Sequence, residues 1–354
     1  MSMTGYLRRS PFVVSYWVNG ALYFENYLTG KKVKAAAEMT ALLDFFTVWK
    51  PEKAMYARWE QYTESSLRKA AAQLVRESFL QRSKQKNPAK TKAEKALLAW
   101  GQWNPTGGFF HFTSKDAYPE EVTKEEIESF YELAKARPVP QPLKSYPGAR
   151  VVKLAKGNYE EEFPRLLRER RTWRKFSRKK VGGEAFAKLM HLSFGVQAWE
   201  QIPEIGRLAQ KTSPSGGALH PAEAYVLVRR VEGVRAGLYH YDAGGNRLQQ
   251  LRRGASAGEI HRDLAGQWWF RDAAFVVYLT AVFGRTQWKY DYARAYRAIL
   301  IEAGHLCQTF CLTATWLGLA PFCTIAFADT RIEKKLRVDG ISESVIYAMG
   351  AGEK

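Results

Sequence analysis

The sequence predicts an α+β chain in two parts, a small winged-helix-like module followed by a larger half that mixes strands and helices. Three observations carry this. Two β-rich runs, residues 11–18 (PFVVSYWV) and 21–28 (ALYFENYL), are joined by Asn19-Gly20, a strong two-residue hairpin signal. Residues 271–283 (RDAAFVVYLTAVF) form an apolar, β-branched run of the kind found in a central strand. A long helical pattern then runs from about Asp291 to Leu317 and stops at Gly318.

In the N-terminal part, residues 34–48 place Leu42, Leu43, Phe45 and Phe46 at helical spacing. A second helix is expected over Glu64–Arg76, with Thr63 as its cap, and a short returning strand over Phe79–Arg82. These elements bound the module at residues 1–85. Residues 82–96 (RSKQKNPAKTKAEKA) are basic and broken by Asn87-Pro88, so they read as a linker or exposed loop. Phe109–Phe112 reads as a short aromatic strand-like run in which His111 is a packed or surface residue. Thr123–Ala136 reads as a helix with Glu125 and Glu126 in its first turn. Residues 137–148 (RPVPQPLKSYPG), rich in proline, form an extended arm, so 86–150 is assigned as connector and 151–354 as the second domain.

In the second domain, Gly183–Trp199 is expected to be a helix burying Phe186, Leu189, Met190 and Phe194, with His191 a structural residue. A strand over Ala224–Arg229 follows, then a hairpin of Gly237–Asp242 and Arg247–Leu251 around Gly244-Gly245. The long helix is expected to bury Tyr296, Leu300, Ala303, Cys307, Phe310 and Cys311. Val345–Gly350 closes the sheet.

The 354 residues, 46% of them hydrophobic, suffice for two packed domains. No run of about 18 apolar residues and no signal-peptide pattern is present, which argues against membrane insertion. Cys307, Cys311 and Cys323 form no CxxC; buried free thiols and a reduced, cytoplasmic setting are expected. The six histidines show no metal-ligand spacing, and no metal site is assigned. The net charge of +19 favours an anionic partner. The 64–76 helix offers only Arg68, Lys69 and Arg76, which argues against nucleic acid. Peptide binding at a sheet edge and a structural or dimer-forming role stay open for the module.

Two stretches carry chemistry. In Arg168–Ser177 (RERRTWRKFS), Arg170, Thr172 and Arg174 alternate and can converge on one anion, because guanidinium groups grip phosphate through paired planar hydrogen bonds. In residues 211–228 (KTSPSGGALHPAEAYVLV), Ser213 and Ser215 supply hydroxyls. Pro214 and Pro221 stiffen the loop, and Gly216 and Gly217 let backbone amides approach a flat ligand.

Together with Gly237-Leu-Tyr-His-Tyr241, Lys289-Tyr290, Tyr296-Arg297, Glu302-Ala-Gly-His305 and Gly318-Leu-Ala-Pro321, the two stretches resemble the SagB/ThcOx-type branch of the nitroreductase superfamily. The resemblance covers roughly residues 165–350. It implies a nitroreductase-like mixed sheet flanked by helices and a homodimer that binds FMN at its interface. Arg170, Thr172 and Arg174 would hold the phosphate or ring edge. Pro214, Ser215, Gly216 and Gly217 would face the isoalloxazine, with Ser213 also in the cofactor-binding set and Thr324 a further contact. It also implies oxidation of thiazoline or oxazoline rings to azoles in a precursor peptide. Lys289 and Tyr290 would handle the substrate proton, with a cyclodehydratase or other maturation protein as partner. Glu302 and His305 are assigned to structure or the dimer interface. A reductase of the same fold drawing on NAD(P)H, and a winged-helix binding protein that has lost catalysis, are the alternatives. No Rossmann glycine motif is present, so a nicotinamide would bind only transiently.

Overall fold

Two compact units make up the chain, which is described here from a computed structural model. The structure describes residues 5–354 except 118–122, 124, 126–127, 130–131, 133–134, 138–141, 145, 155–156 and 158–159. The first unit comprises residues 1–117 with 290–296. Its strands are β1 (Tyr6–Arg9), β2 (Val13–Val18), β3 (Ala21–Asn26), β4 (Lys31–Lys34), β5 (Lys50–Pro51) and β6 (Leu80–Ser83). Its helices are α1 (Ala37–Phe45), α2 (Ala54–Arg58), α3 (Glu64–Arg76), α4 (Lys92–Leu98) and α5 (Thr106–Thr113).

Asn19 and Gly20 turn with φ of 48° and 75°, the left-handed pair that matches strand twist and sets β2 antiparallel to β3. The Thr63 hydroxyl accepts the Ser66 amide at 3.2 Å and caps α3. From there Leu67, Ala71 and Leu74 recur on one face and pack with Leu7, Phe46 and Met55. β6 returns as expected and pairs with β1, giving one three-stranded sheet in the order β5-β1-β6; β2, β3 and β4 form another.

The second unit comprises residues 118–289 and 297–354. It contains α6 (Glu162–Glu169), α7 (Gly183–Phe194), β7 (Ala198–Ile202), β8 (Gly206–Gln210), β9 (Ala222–Val228), β10 (Gly237–Asp242) and β11 (Arg247–Arg253). Then come α8 (Ala257–Asp263), β12 (Phe275–Val282), α9 (Phe283–Gln287) and α10 (Tyr296–Trp316), whose residues from Arg297 on belong here. β13 (Ala320–Thr324), α11 (Asp329–Leu336) and β14 (Glu343–Gly352) complete it.

An antiparallel six-stranded sheet, ordered β11-β10-β9-β12-β14-β13, is its frame. β12 lies inside it, and its alternation sends Phe275, Val277 and Leu279 to one core and Val276 and Tyr278 to the other. The first core is closed by α7 and by Ala303, Leu306, Cys307, Phe310, Cys311 and Ala314 of α10; the second takes Ile260 of α8 and Ile332 and Leu336 of α11.

Several expectations are corrected. Residues 82–96 are not all linker, because Thr91 and Glu94 form a reciprocal capping box that starts α4. Phe109–Phe112 is helical within α5, where His111 is buried and its Nδ1 lies 2.9 Å from the Tyr296 hydroxyl. The helix expected to reach Trp199 stops at Phe194. Gly195 caps it, and 198–210 forms the β7–β8 hairpin. α10 begins at Tyr296, after a short turn at Ala293–Ala295, and Leu300 is on its exposed side. The 123–136 helix lies largely outside the described residues, and the proline arm of 137–148 does so in part.

Gly350 in β14 faces a crowded spot: a Cβ there would stand 2.6 Å from the Phe275 carbonyl oxygen and 2.6 Å from the Phe322 ring. Gly350→Ala is expected to lower stability by about 1–3 kcal/mol in urea unfolding. Gly304→Ala in α10, where a Cβ meets open space, is expected to raise it by up to about 1 kcal/mol.

Candidate active site

The loop before β9 is built on one hydroxyl. Ser215 Oγ donates to Glu302 Oε2 at 2.5 Å and accepts the His220 amide at 2.9 Å. Two more contacts fasten the loop to α10: Ser213 Oγ lies 2.7 Å from Thr309 Oγ1, and His305 Nδ1 donates to the Pro214 carbonyl at 3.2 Å. Residues 302, 305 and 309 lie on one face of a helix, so α10 serves as a rail for residues 213–215. Beyond it the chain turns sharply, with positive φ at Gly217 (69°), Ala218 (56°) and His220 (43°). Glycine takes this conformation freely, whereas Ala218 and His220 are strained. Their strain is held by the Ser215 bond, by His220 Nε2 on the Ala209 carbonyl (2.9 Å) and by Arg285 Nη1 donating to the His220 carbonyl (2.9 Å).

This loop borders a cavity of about 520 Å³ whose polar lining includes Lys211, His220, Glu223, His240 and Arg285, with Trp199 and Trp288 at its wall. Glu223, on β9, accepts from His240 Nε2 at 2.9 Å and from Arg285 Nη2 at 2.5 Å. Burial works against its ionisation, but the His240 and Arg285 bonds outweigh that and hold its pKa below the ordinary value. The Glu223 bond in turn raises His240. Burial lowers His220, helped by the Lys211 charge. Burial also lowers Lys211 and raises Glu302, each partly offset by opposite charge nearby. The site therefore places an imidazole biased to neutrality and one biased to charge on one cavity.

The arginine segment takes different partners. α6 ends at Arg170, and the chain runs on extended, with the Trp173 amide on the Pro321 carbonyl and the Ser177 amide on the Glu353 carbonyl, both 2.9 Å. Arg170 and Thr172 are half-buried and Arg174 is exposed; among the described residues neither arginine forms an ion pair with a carboxylate. The Arg170 charge acts on Cys311 of α10 and Cys323 of β13. The 213–215 loop is thus fastened to α10, whereas the arginine segment is fastened to residues 321 and 353.

Lys289 is exposed and follows Trp288 at the end of α9; the Tyr290 carbonyl accepts the Trp103 indole N–H at 2.8 Å. Thr324 is engaged locally: its hydroxyl receives the Gln267 side-chain amide at 3.1 Å and the Ala326 amide at 3.0 Å. Sequence reasoning missed Lys211, Glu223 and His240 as site residues, and it took Glu302 as structural or interfacial. The one available signal was Glu223 as a lone charge within the apolar alternation of β9.

The donor set fits a flavin mononucleotide. Two guanidiniums flanking a hydroxyl, free of carboxylates among the described residues, match a phosphate, and the exposed amides of Gly216 and Gly217 match a polar ring edge.

A model of the nitroreductase family matches residues 167–353, more than half of the chain. The chain belongs to the nitroreductase family. Its second unit is accordingly a nitroreductase-type α+β domain. A protein of Methanocaldococcus jannaschii that carries the name nitroreductase MJ1384 is 33% identical over 144 residues, 41% of this chain and 71% of that protein. Trifolitoxin-processing protein TfxB of Rhizobium leguminosarum bv. trifolii is 29% identical over 147 residues, 40% of this chain and only 39% of that protein. Among solved structures, a chain of the E. coli microcin synthetase McbBCD complex with truncated pro-MccB17 bound shares the fold, with a TM-score of 0.53 and 20% identity over 75% of this chain and 98% of that one. No helix among the described residues is long and apolar enough to cross a membrane.

The two cavity histidines give a test. The folded pKa of His240 lies above its unfolded value near 6.5, so its stabilisation is full below that value and fades as pH rises through the folded pKa. His220 is depressed, so its contribution is present above 6.5 and fades as pH falls. Nitrogen-15 NMR of the imidazoles is expected to show His240 titrating above 6.5 and His220 below it; the reverse order would contradict the site electrostatics.

Proposed function

We propose that the protein is an FMN-dependent peptide dehydrogenase of the SagB/ThcOx type, oxidising thiazoline or oxazoline rings of a ribosomally made precursor peptide to azoles. The observation that carries the reading is Arg170-Thr172-Arg174, a phosphate-type donor set without carboxylate partners among the described residues, in a nitroreductase-family chain whose sequence is akin to a trifolitoxin-processing protein. Arg170, Thr172 and Arg174 hold the cofactor phosphate. Residues 213–217 set backbone amides against its ring, with Thr324 as a further contact, and a homodimer completes the site. When bound, the flavin supplies the hydride acceptor that aromatisation of the ring requires.

The chain's own part is the proton. Lys289 takes the ring-carbon proton, and Tyr290 completes the pair. The glycine turn at 216–217 leaves a flat face for the ring, and the Trp199 and Trp288 indoles line the adjoining cavity. In the first unit the edge strand β6 lines a second cavity, of about 470 Å³, together with Arg8 and Trp49. An extended precursor peptide, drawn by the +19 net charge, adds to such an edge through main-chain hydrogen bonds. A cyclodehydratase or related maturation protein delivers the azoline.

Kinship to a protein named as a nitroreductase favours one competing reading, reduction of a small molecule with electrons from NAD(P)H. The experiment is an absorption spectrum with mass identification of the released chromophore, then turnover of an azoline peptide without nicotinamide. FMN and azole product are expected. FMN with activity only on addition of NAD(P)H would select the reductase, and a protein that cannot be loaded with FMN would sink both. Lys289→Ala is expected to keep FMN and lose turnover by about 10²–10⁴-fold. Arg170→Ala is expected to weaken FMN binding by about tenfold or more.

A further inference from the structure

All three cysteines of the chain meet at one point. Cys307 and Cys311 lie one turn apart on α10, Cys323 comes from β13, and their Sγ atoms lie within 4.8 Å of one another. Cys307 and Cys311 are buried, whereas Cys323 is half-buried. Packing alone explains a buried cysteine as a small apolar residue. It does not explain why every cysteine in 354 residues, drawn from a helix and a strand, converges on one point.

We propose that Cys307, Cys311 and Cys323 form a binding site for a thiophilic metal ion, with Cu(I) the ion that the donor set matches. Three sulfurs around a metal at thiolate bond lengths stand about 4 Å apart, so closure from the observed spacing asks less than about 1 Å of movement, within reach of small side-chain rotations. The donors are all sulfur: among the described residues no histidine or carboxylate joins the cluster, which excludes hard cations such as Mg²⁺ and Ca²⁺. Zn²⁺ prefers a fourth ligand, whereas Cu(I) is satisfied by three thiolates. Binding exchanges the thiol protons for the metal, so it strengthens as pH rises.

The test uses the full chain, handled anaerobically, with one equivalent of Cu(I) in competition with a colorimetric Cu(I) chelator. One copper per chain is expected to be retained, with three sulfur neighbours by X-ray absorption at the copper edge. Cys323→Ser, at the least buried of the three positions, is expected to cut retention at least tenfold while the circular-dichroism spectrum stays unchanged. Equal retention by the wild type and Cys323→Ser would overturn the site. So would nitrogen or oxygen coordination in the wild-type spectrum, a readout that depends on no variant folding. Retention of Zn(II) in preference to Cu(I) would overturn the choice of ion.

Discussion

A carboxylate buried on a long helix is the constraint around which the site is arranged. Glu302 is only 4% exposed, and an unpaired carboxylate there would cost several kcal/mol. Its compensation comes from the loop: the Ser215 hydroxyl at 2.5 Å and the positive charge of Lys211. The dependence runs both ways. Ser215 is held by Glu302, and Ser215 in turn holds the His220 amide, which keeps His220 in its left-handed conformation. His220 then offers its carbonyl to Arg285, and Arg285 reaches Glu223, which binds His240. One buried carboxyl group thus anchors a chain of contacts from α10 through the loop to β9 and β10.

The sheet makes that chain possible by being indifferent to it. β12 is buried along nearly its whole length and divides its side chains between two cores, so the frame is set by apolar packing. The face opposite α10 carries its own charged cluster. Asp263, fully buried, accepts the Tyr278 hydroxyl, Lys335 and Arg331 Nε (3.0 Å), and Lys335 also meets Glu259 at 2.8 Å. That cluster is mutually satisfied within the second core and needs no ligand. At the cavity the charges instead line open space, which is the arrangement expected where a ligand supplies the remaining partners.

What was legible in the sequence was what local chemistry decides. The Asn19-Gly20 turn, the Thr63 cap, the apolar run of β12 and the glycine after α10 each depend on a few neighbouring residues, and each stands where the residues placed it. Most departures from the sequence expectation lie where a segment's partners are distant. Residues 109–112 have the composition of a strand, yet α5 is a helix because its aromatic rings pack against other rings of the first unit, Tyr27 and Trp100 among them. The β7–β8 hairpin lay inside a helix expected to run on, since nothing in the apolar spacing marks Gly195 as a cap. The Thr91–Glu94 capping box is a local signal set within a basic stretch whose composition reads as linker. Lys211, Glu223 and His240 could not be read as site residues, because their chemistry comes from burial and from each other.

The opposite biases of these groups bear on how the cavity behaves. Burial drives Lys211 toward its neutral form and Glu302 toward its protonated form, while each group's charge resists the change in the other. Glu223 is different, because two hydrogen-bonded cations keep it ionised despite its burial. The cavity therefore has a hydrogen-bonded ionic side, Glu223 with His240 and Arg285, and a second side at Lys211, which burial biases toward its neutral form. A neutral, flat ligand that displaces water strengthens the desolvation of both sides. An anionic ligand acts the other way and stabilises Lys211 in its charged form. Lys211 is thus the cavity group whose charge is opposed by its burial and supported by the Glu223 and Glu302 carboxylates.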